Sequence, residues 1–410
     1  MTEQTNTPEL RFPGFNGEWR FNKLGDLTTK IGSGKTPKGG SQNYLNAGIP
    51  FLRSQNIQNG KLNLDDLVYI DSKTDETMKN SKSYFGDILL NITGASIGRS
   101  AINSIDNTHI NLNQHVCIIR LKKQFSYKFL GNFLLSPRGQ KKIFKAQSGG
   151  SREGLNFKEI ANINLYIPDN FNEQEKLGKF FSKLDHQIEL EEEKLELLEQ
   201  QKRGYMQKIF SQELRFKDDN GNDYPNWENE KLGNLINEVN ERTTSNNQYM
   251  LLSSTKNGLL SQEEYFKKQI GSKDSTGYKI LRLNQLVLSP QNLWLGNINF
   301  NQRFDTGIVS PSYRIYNLSH QFDINFAKDL LKSPRYIYEY AQASEQGASV
   351  VRRNLNLELF YSIKISLPSI EEQRKIGVFL NKLDKLIRKQ YNKIEVLKQR
   401  KKGLLQKMFI

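Results

Sequence analysis

The chain has 410 residues and a mass of 47.5 kDa, with 59 Lys+Arg against 44 Asp+Glu, a formal charge of +15 and a pI near 9.5. That length allows two or three domains, and 36% hydrophobic with 10% aromatic residues supports folded cores rather than disorder. No apolar run approaches the ~20 residues of a membrane span, Met1 to Leu10 lacks the basic and apolar regions of a signal peptide, and the single cysteine, Cys117, excludes an internal disulfide. With four scattered histidines a zinc site is not expected. The expectation is a soluble cytoplasmic protein with a polyanionic partner.

In chain order, residues 1–172 form a mixed segment. It has β-type runs at Asp87–Asn91 and Val116–Arg120, a helical patch at Tyr127–Leu135, and loops rich in Gly, Asn and Ser. Residues 173–210 carry a helical stripe of Leu177, Phe181, Leu184, Ile188, Leu195 and Leu198, continued by Tyr205 and Ile209 and broken at Glu191 and Lys202. A second mixed segment, 211–370, has a helical patch at Phe326–Leu331 and a strand-like run at Ile363–Leu367. Residues 371–410 close with the stripe Ile376, Leu380, Leu383, Ile387, Ile394 and Leu397, broken at Gln390 and Lys401.

These four segments are one pattern written twice. Glu9-Leu10-Arg11-Phe12 recurs as Glu213-Leu214-Arg215-Phe216, and Trp19, Lys23, Leu24 and Gly25 recur as Trp227, Lys231, Leu232 and Gly233. From Gln174 to Phe210 the helix repeats as Gln373 to Phe409 at a constant offset of 199, with Lys183-Leu184-Asp185 returning as Lys382-Leu383-Asp384. Because the breaks in the two stripes fall at matching places, each helix is expected to pair with the other as an antiparallel coiled coil. Charge supports the pairing: residues 173–210 hold 9 acidic and 7 basic side chains, whereas 371–409 hold 4 and 12. The glutamates from Glu189 to Glu199 are expected to face Arg388, Lys389, Lys393 and Lys398, selecting partner and orientation more than adding stability. Such helices span roughly 50 Å at ~1.5 Å per residue, so the pair can act as a ruler between two globules related by a pseudo-dyad.

Several loops suit nucleic acid. Gly32-Ser33-Gly34-Lys35-Thr36 is not a phosphate loop, since Thr29 stands where the first glycine belongs and Pro37 discourages the following helix. A basic Gly-rich loop offering Lys30, Ser33, Lys35 and Lys38 to DNA phosphates is the better reading. Arg53-Ser54-Gln55-Asn56 precedes Gly60 as Ser253, Ser254 and Lys256 precede Gly258, and such side chains can hydrogen-bond base edges. The 94–99 turn, with Ser96 and Arg99, corresponds to the 292–297 turn, with Asn292 and Trp294. A third loop pair brings Ser151 and Arg152, and Arg352 and Arg353, each before a Leu-Asn. No nuclease carboxylate cluster, helicase motif, nucleophile elbow or Pro-Pro methyltransferase signature is present. His109 and His115 have no partner at ligand spacing and read as structural.

The ELRF-plus-tryptophan repeat starts, the IP…EQ-x-x-(L/I)-G-x-F…KLD helix starts and the duplicated layout resemble the specificity subunit of type I restriction–modification enzymes. The resemblance implies an α+β chain in which two pseudo-twofold-related mixed α/β target recognition domains, 1–172 and 211–370, are separated by a two-helix antiparallel coiled coil, 173–210 and 371–410. It implies a noncatalytic subunit that reads a bipartite, asymmetric double-stranded DNA target. The helices would dock two methyltransferase subunits, which in turn engage restriction subunits. S-adenosylmethionine, ATP and Mg are then expected on those partners and no cofactor on this chain. The first mixed segment carries 22 basic and 14 acidic residues and the second 18 and 17, so the first is expected to supply more of the salt-dependent binding. The other readings are a coiled-coil adaptor with incidental polyanion binding and, more distantly, a standalone nuclease.

Overall fold

Short β-branched runs between Gly, Asn and Ser turns favour small sheets over one large one, and the chain builds the same set of small sheets twice. The computed structural model describes residues 6–147, 154–256, 258–266, 274–349 and 352–410, apart from the side chains of 346–349 and 352. One unit comprises Met1–Glu193 with Tyr391–Ile410, and the other Lys194–Gln390.

In the first unit an antiparallel sheet runs in the order Thr28–Ser33, Val116–Leu121, Ile88–Asn91, Ser100–Ile102. The second unit repeats it as Ile236–Val239, Arg314–Leu318, Leu286–Leu288, Ile298–Phe300. A two-strand ribbon also recurs, Arg20–Lys23 with Asn164–Ile167 and Glu228–Lys231 with Lys364–Leu367. The units differ in their remaining sheet. In the first it is continuous, Val68–Ile70, Ile49–Leu52, Ile110–Leu112, Lys82–Ser83, with its middle pair parallel. In the second it is a hairpin, Leu252–Thr255 with Gly258–Ser261, and an antiparallel pair, Lys279–Arg282 with Thr306–Val309, joined by one parallel bridge, Leu251 to Ile308, with a further antiparallel pair, Ser344–Ser349 with Arg352–Leu355.

The long helices run Phe171–Phe210 and Ile370–Met408, starting two residues and one residue before the expected boundaries. Asn170 and Ser369 begin them: the Asn170 carboxamide accepts from the Asn172 amide at 2.9 Å and the Ser369 hydroxyl from the Glu372 amide at 3.4 Å. In each unit the start of one helix lies antiparallel to the end of the other. Asp185 pairs with Lys401, Glu191 with Lys393 and Glu192 with Lys398 in the first unit. Lys202 pairs with Asp384 at 2.7 Å and Tyr205 packs edge-on against Phe379 in the second. Two of the proposed glutamate–lysine pairs therefore form, and the polar breaks at Lys202 and Lys401 are themselves interhelical ion pairs.

The apolar stripe is more than a seam. Leu177 and Phe181 sit in the first domain's core with Trp19, Phe129 and Phe409, and Ile376, Leu380 and Leu383 in the second's with Phe326, Tyr336 and Phe360. The opening turns of each helix form a wall of the adjacent domain, so these five residues belong to a domain core as well as to a helix pair. Ile188, Ile394 and Leu397 are buried, whereas Leu184, Leu195, Leu198 and Ile387 are half-buried.

The motifs that repeat most faithfully form the joint between helix and domain. Arg11 donates from Nε and Nη2 to Glu173 at 2.7 and 2.8 Å, and the Trp19 indole donates to the same carboxylate at 3.3 Å. Arg215 and Trp227 donate to Glu372 in the same way, at 3.0, 2.6 and 3.2 Å. Gln174 accepts from the Ser126 amide and donates to the Pro168 carbonyl, as Gln373 accepts from the Asp323 amide and donates to the Pro368 carbonyl. A Cβ on Gly178 or Gly377 would lie 2.5 Å or 2.8 Å from the Cβ of Lys128 or Asn325, so only glycine lets the short domain helix approach this closely.

Candidate nucleic-acid interface

In each domain the loops singled out from the sequence are drawn together by a buried asparagine. In the first, the Asn91 amide donates to the Ser54 carbonyl at 2.9 Å and to the Ser96 hydroxyl at 3.1 Å, joining the 53–56 and 94–99 turns. The third loop arrives beside them: Leu155 donates to the Ile92 carbonyl and Gly154 bridges to Thr93. The basic loop is the fourth partner. Its Lys35 amide donates to the Leu112 carbonyl, and the close approach there leaves no room for a Cβ on Gly34. Lys35, Lys38, Gln55 and Arg99 are exposed, and Ser33, Ser54 and Ser96 are half-buried.

The second domain uses two asparagines. The Asn297 amide donates to the Ser254 carbonyl at 2.9 Å, and the Asn299 amide donates to the Ser254 hydroxyl and the Thr255 carbonyl, each at 2.7 Å. These bonds hold the Leu252–Thr255 hairpin on the 292–297 turn. Arg353 closes the group: its amide donates to the Gln291 carbonyl, and its guanidinium stacks 4.3 Å from the centre of the Trp294 ring. The indole nitrogen of Trp294 is buried with no hydrogen-bond partner among the described residues. Lys256 is exposed, Ser253 is half-buried, and half-buried Asn292 leans on the Ser289 hydroxyl.

Four positions take on different work from that expected. Lys30 donates to the Asn80 and Lys82 carbonyls, and burial, with Arg120 nearby, pulls its ammonium below its ordinary value. It anchors a strand rather than a phosphate. Asn56 is 1% exposed, accepts from the Arg53 amide and donates to the Asn63 carbonyl. Ser254, 3% exposed, spends its hydroxyl on Asn297 and Asn299. Both hold turn shape instead of presenting donors outward. Arg53 is intermediate, with Nη2 on the Asp66 carbonyl, the guanidinium over Tyr44, and Nε buried and unpartnered. Ser151 and Arg152, and the side chain of Arg352, lie outside the described residues.

The organising residues were not in the sequence-derived set. Asn91 and Asn299 lie on strands, where asparagine is disfavoured, and that disfavour is the available signal; Asn297 ends the 292–297 turn and carries no such mark. His115 Nδ1 is 2.6 Å from the Thr93 hydroxyl, within the same group of loops. His109 instead contacts Asp75, buried beside Lys82 and Asn111. Burial raises the Cys117 thiol to about 12, so it is not a nucleophile. Among the described residues no group of three or more His, Cys, Asp or Glu is placed to hold a metal, and no helix is long and apolar enough to cross a membrane.

Two mixed domains, each presenting a cluster of polar and basic loops beside a long helix, are the architecture of a DNA-specificity protein. The type I restriction modification DNA specificity domain matches twice, over residues 16–200 and 207–398, and the chain belongs to that family. A putative type I restriction enzyme specificity subunit, MjaX, of Methanocaldococcus jannaschii is 24% identical over 95% of this chain and 92% of its own. The EcoBI specificity subunit of Escherichia coli is 32% identical over 30% of this chain and 25% of its own. The fold is that of the type I restriction–modification S subunit of M. genitalium (TM-score 0.58, 15% identity, 98% of this chain and 99% of that one). A chain from a structural study of type I assembly and conformational transition is equally similar (TM-score 0.57, 15% identity, 97% of both chains).

Proposed function

We propose that this chain is the DNA-specificity subunit of a type I restriction–modification complex, with each domain reading one half of a split, asymmetric target. The observation that carries this reading is the convergence of three polar loops in each domain, held by buried asparagines, with different side chains at equivalent positions. Gly94, Ser96 and Arg99 stand where Asn292, Trp294 and Asn297 stand in the other domain, so equivalent scaffolds present different contacts and the half-sites differ. Exposed Lys35, Lys38 and Arg99 meet phosphates or guanines in the first domain. Arg353 and Lys256 serve the second, with Ser151, Arg152 and Arg352 added from the third loops.

The long helices gauge the unread spacer and dock two methyltransferase subunits, which recruit the restriction subunits. Adenine methylation from S-adenosylmethionine and ATP- and Mg-dependent translocation and cleavage belong to those partners, and this chain is noncatalytic. An adaptor without sequence specificity would have no use for two loop clusters assembled from buried polar residues, each costly to bury unless satisfied. The test is to delete one heptad from both helices, residues 189–195 with 388–394, and sequence modified adenines. The expected outcome is a changed spacer with both half-sites intact. Methylation of the same sites in cells lacking this chain would overturn the assignment, and an unchanged spacer would overturn the gauge.

A further inference from the structure

The two domains differ inside, at positions whose equivalence is set by shared contacts. Ser126 and Asp323 give their amides to Gln174 and Gln373, and Phe129 and Phe326 pack edge-on against Trp19 and Trp227. Counting on from these, Gly131, Asn132 and Leu135 correspond to Lys328, Asp329 and Lys332. In the second unit those side chains fill the space between domain and helices. The Lys328 ammonium donates to the Asn381 amide oxygen and lies 3.2 Å from Asp384, and the Lys332 ammonium donates to Asn299.

In the first unit the same place is a cavity of about 460 Å³, lined by Gly131, Asn132, Leu135, Ser182, Asp185 and Ser100 among others. Ser182 and Asp185 are the counterparts of the two groups that receive Lys328. Asp185 holds Lys401 as Asp384 holds Lys202, but glycine at 131 brings no second ammonium. Ser100, 1% exposed, carries a hydroxyl with no hydrogen-bond partner among the described residues. Glu189, one turn beyond Asp185 on the same helix face, also lines the cavity, and among the described residues its one charged-group contact is His186 at 3.7 Å.

We propose that this cavity binds an aliphatic polyamine, whose ammonium groups replace the two lysines that the second domain supplies from its own chain. One ammonium takes the Ser182–Asp185 position, a neighbouring one is within reach of Ser100 or Glu189, and the methylene spacer lies along Leu135. A divalent cation would prefer several oxygen ligands in tight geometry, which a wall that also carries Lys61, Lys398 and Lys401, the last two already on Glu192 and Asp185, does not offer; separated ammonium groups need only one acceptor each.

The experiment is calorimetric titration of the DNA-free full chain with spermidine, against magnesium, inorganic phosphate and Nα-acetyl-lysine amide at matched ionic strength. Saturable binding of one spermidine per chain is expected. Leu135→Lys, which installs the second domain's lysine, should weaken it at least tenfold, and Ser182→Ala several-fold with the fold intact. The proposal is overturned if spermidine does not saturate, if neither variant changes its affinity, or if magnesium or phosphate binds as tightly. Equal affinity for the lysine amide would also overturn it, pointing to a protein side chain as occupant.

Discussion

Lys202 in the second unit lies between Asp329 at 2.8 Å and Asp384 at 2.7 Å, whereas its counterpart Lys401 in the first has Asp185 as its carboxylate partner. Around the first pair the space is packed with Lys328 and Lys332; around the second it is open. The joints next to these pairs, by contrast, match residue for residue: Arg11, Trp19 and Glu173 repeat as Arg215, Trp227 and Glu372. The difference teaches which part of a duplicated unit is tied to a common task. Attachment of helix to domain is held constant, and the interior one turn away is not.

The largest expected effect tests that constancy. Glu173 and Glu372 are 1% and 0% exposed, and each receives an arginine and an indole. Removing the carboxylate leaves a partly buried guanidinium without its counter-charge, held only by backbone carbonyls, a loss of about 2 kcal/mol. Glu173→Ala and Glu372→Ala should therefore lower the urea midpoint by similar amounts, each in the unit that carries it. A large effect for one and a negligible effect for the other would show that the two joints are alike in geometry only.

An unequal pair of effects probes the divergent interior. Lys202→Met leaves buried Asp329 and partly exposed Asp384 without their shared cation, at a cost of about 2 kcal/mol after allowing for solvent at Asp384. Lys401→Met should cost less than about 1 kcal/mol, because the Asp185 side chain is 42% exposed. Burial pulls the Lys202 ammonium down, but Asp329 and Asp384 together hold it above its ordinary 10.5. A raised folded-state value contributes stability that is complete below pH 10.5 and is lost as pH rises through the folded value. The deficit of the Lys202→Met variant should accordingly shrink in strongly alkaline denaturation series.

Much of this organisation was legible in the residues. The offset of 199 between the helices, the ELRF and EQ motifs and the strands at 87–91 and 116–120 all reappear as elements or joints, because backbone pattern and close packing leave a mark on every repeat. What stayed hidden depends on partners distant in sequence. Lys30 reads as a basic loop residue until the Asn80 carbonyl is seen beside it, and Asn56 and Ser254 read as base-facing until their buried hydrogen bonds are counted. The cavity was equally invisible. Gly131, Asn132 and Leu135 against Lys328, Asp329 and Lys332 look like unrelated substitutions until one helix register aligns them. The polar breaks at Lys202 and Lys401 could be located but not interpreted, since Asp384 and Asp185 lie on the other long helix and Asp329 on a short helix of the domain.

The mildest prediction separates exposed lysines from the one that only looks available. Residues 1–172 carry a formal excess of eight positive charges and 211–370 an excess of one, so phosphate attraction falls mainly on the first domain. Each phosphate contact releases counterions, and losing one lowers the slope of log affinity against log salt by roughly one unit. Lys35→Ala and Lys38→Ala should each flatten that slope in filter-binding or anisotropy titrations while leaving base preference alone, since neither residue is bonded across the buried asparagines. Lys30→Ala should leave the slope unchanged and lower thermal stability instead, because its ammonium is already committed to the Asn80 carbonyl. A slope change for Lys30→Ala equal to that for Lys35→Ala would mean that DNA displaces the Asn80 contact, and the strand holding Lys30 would then belong to the binding face.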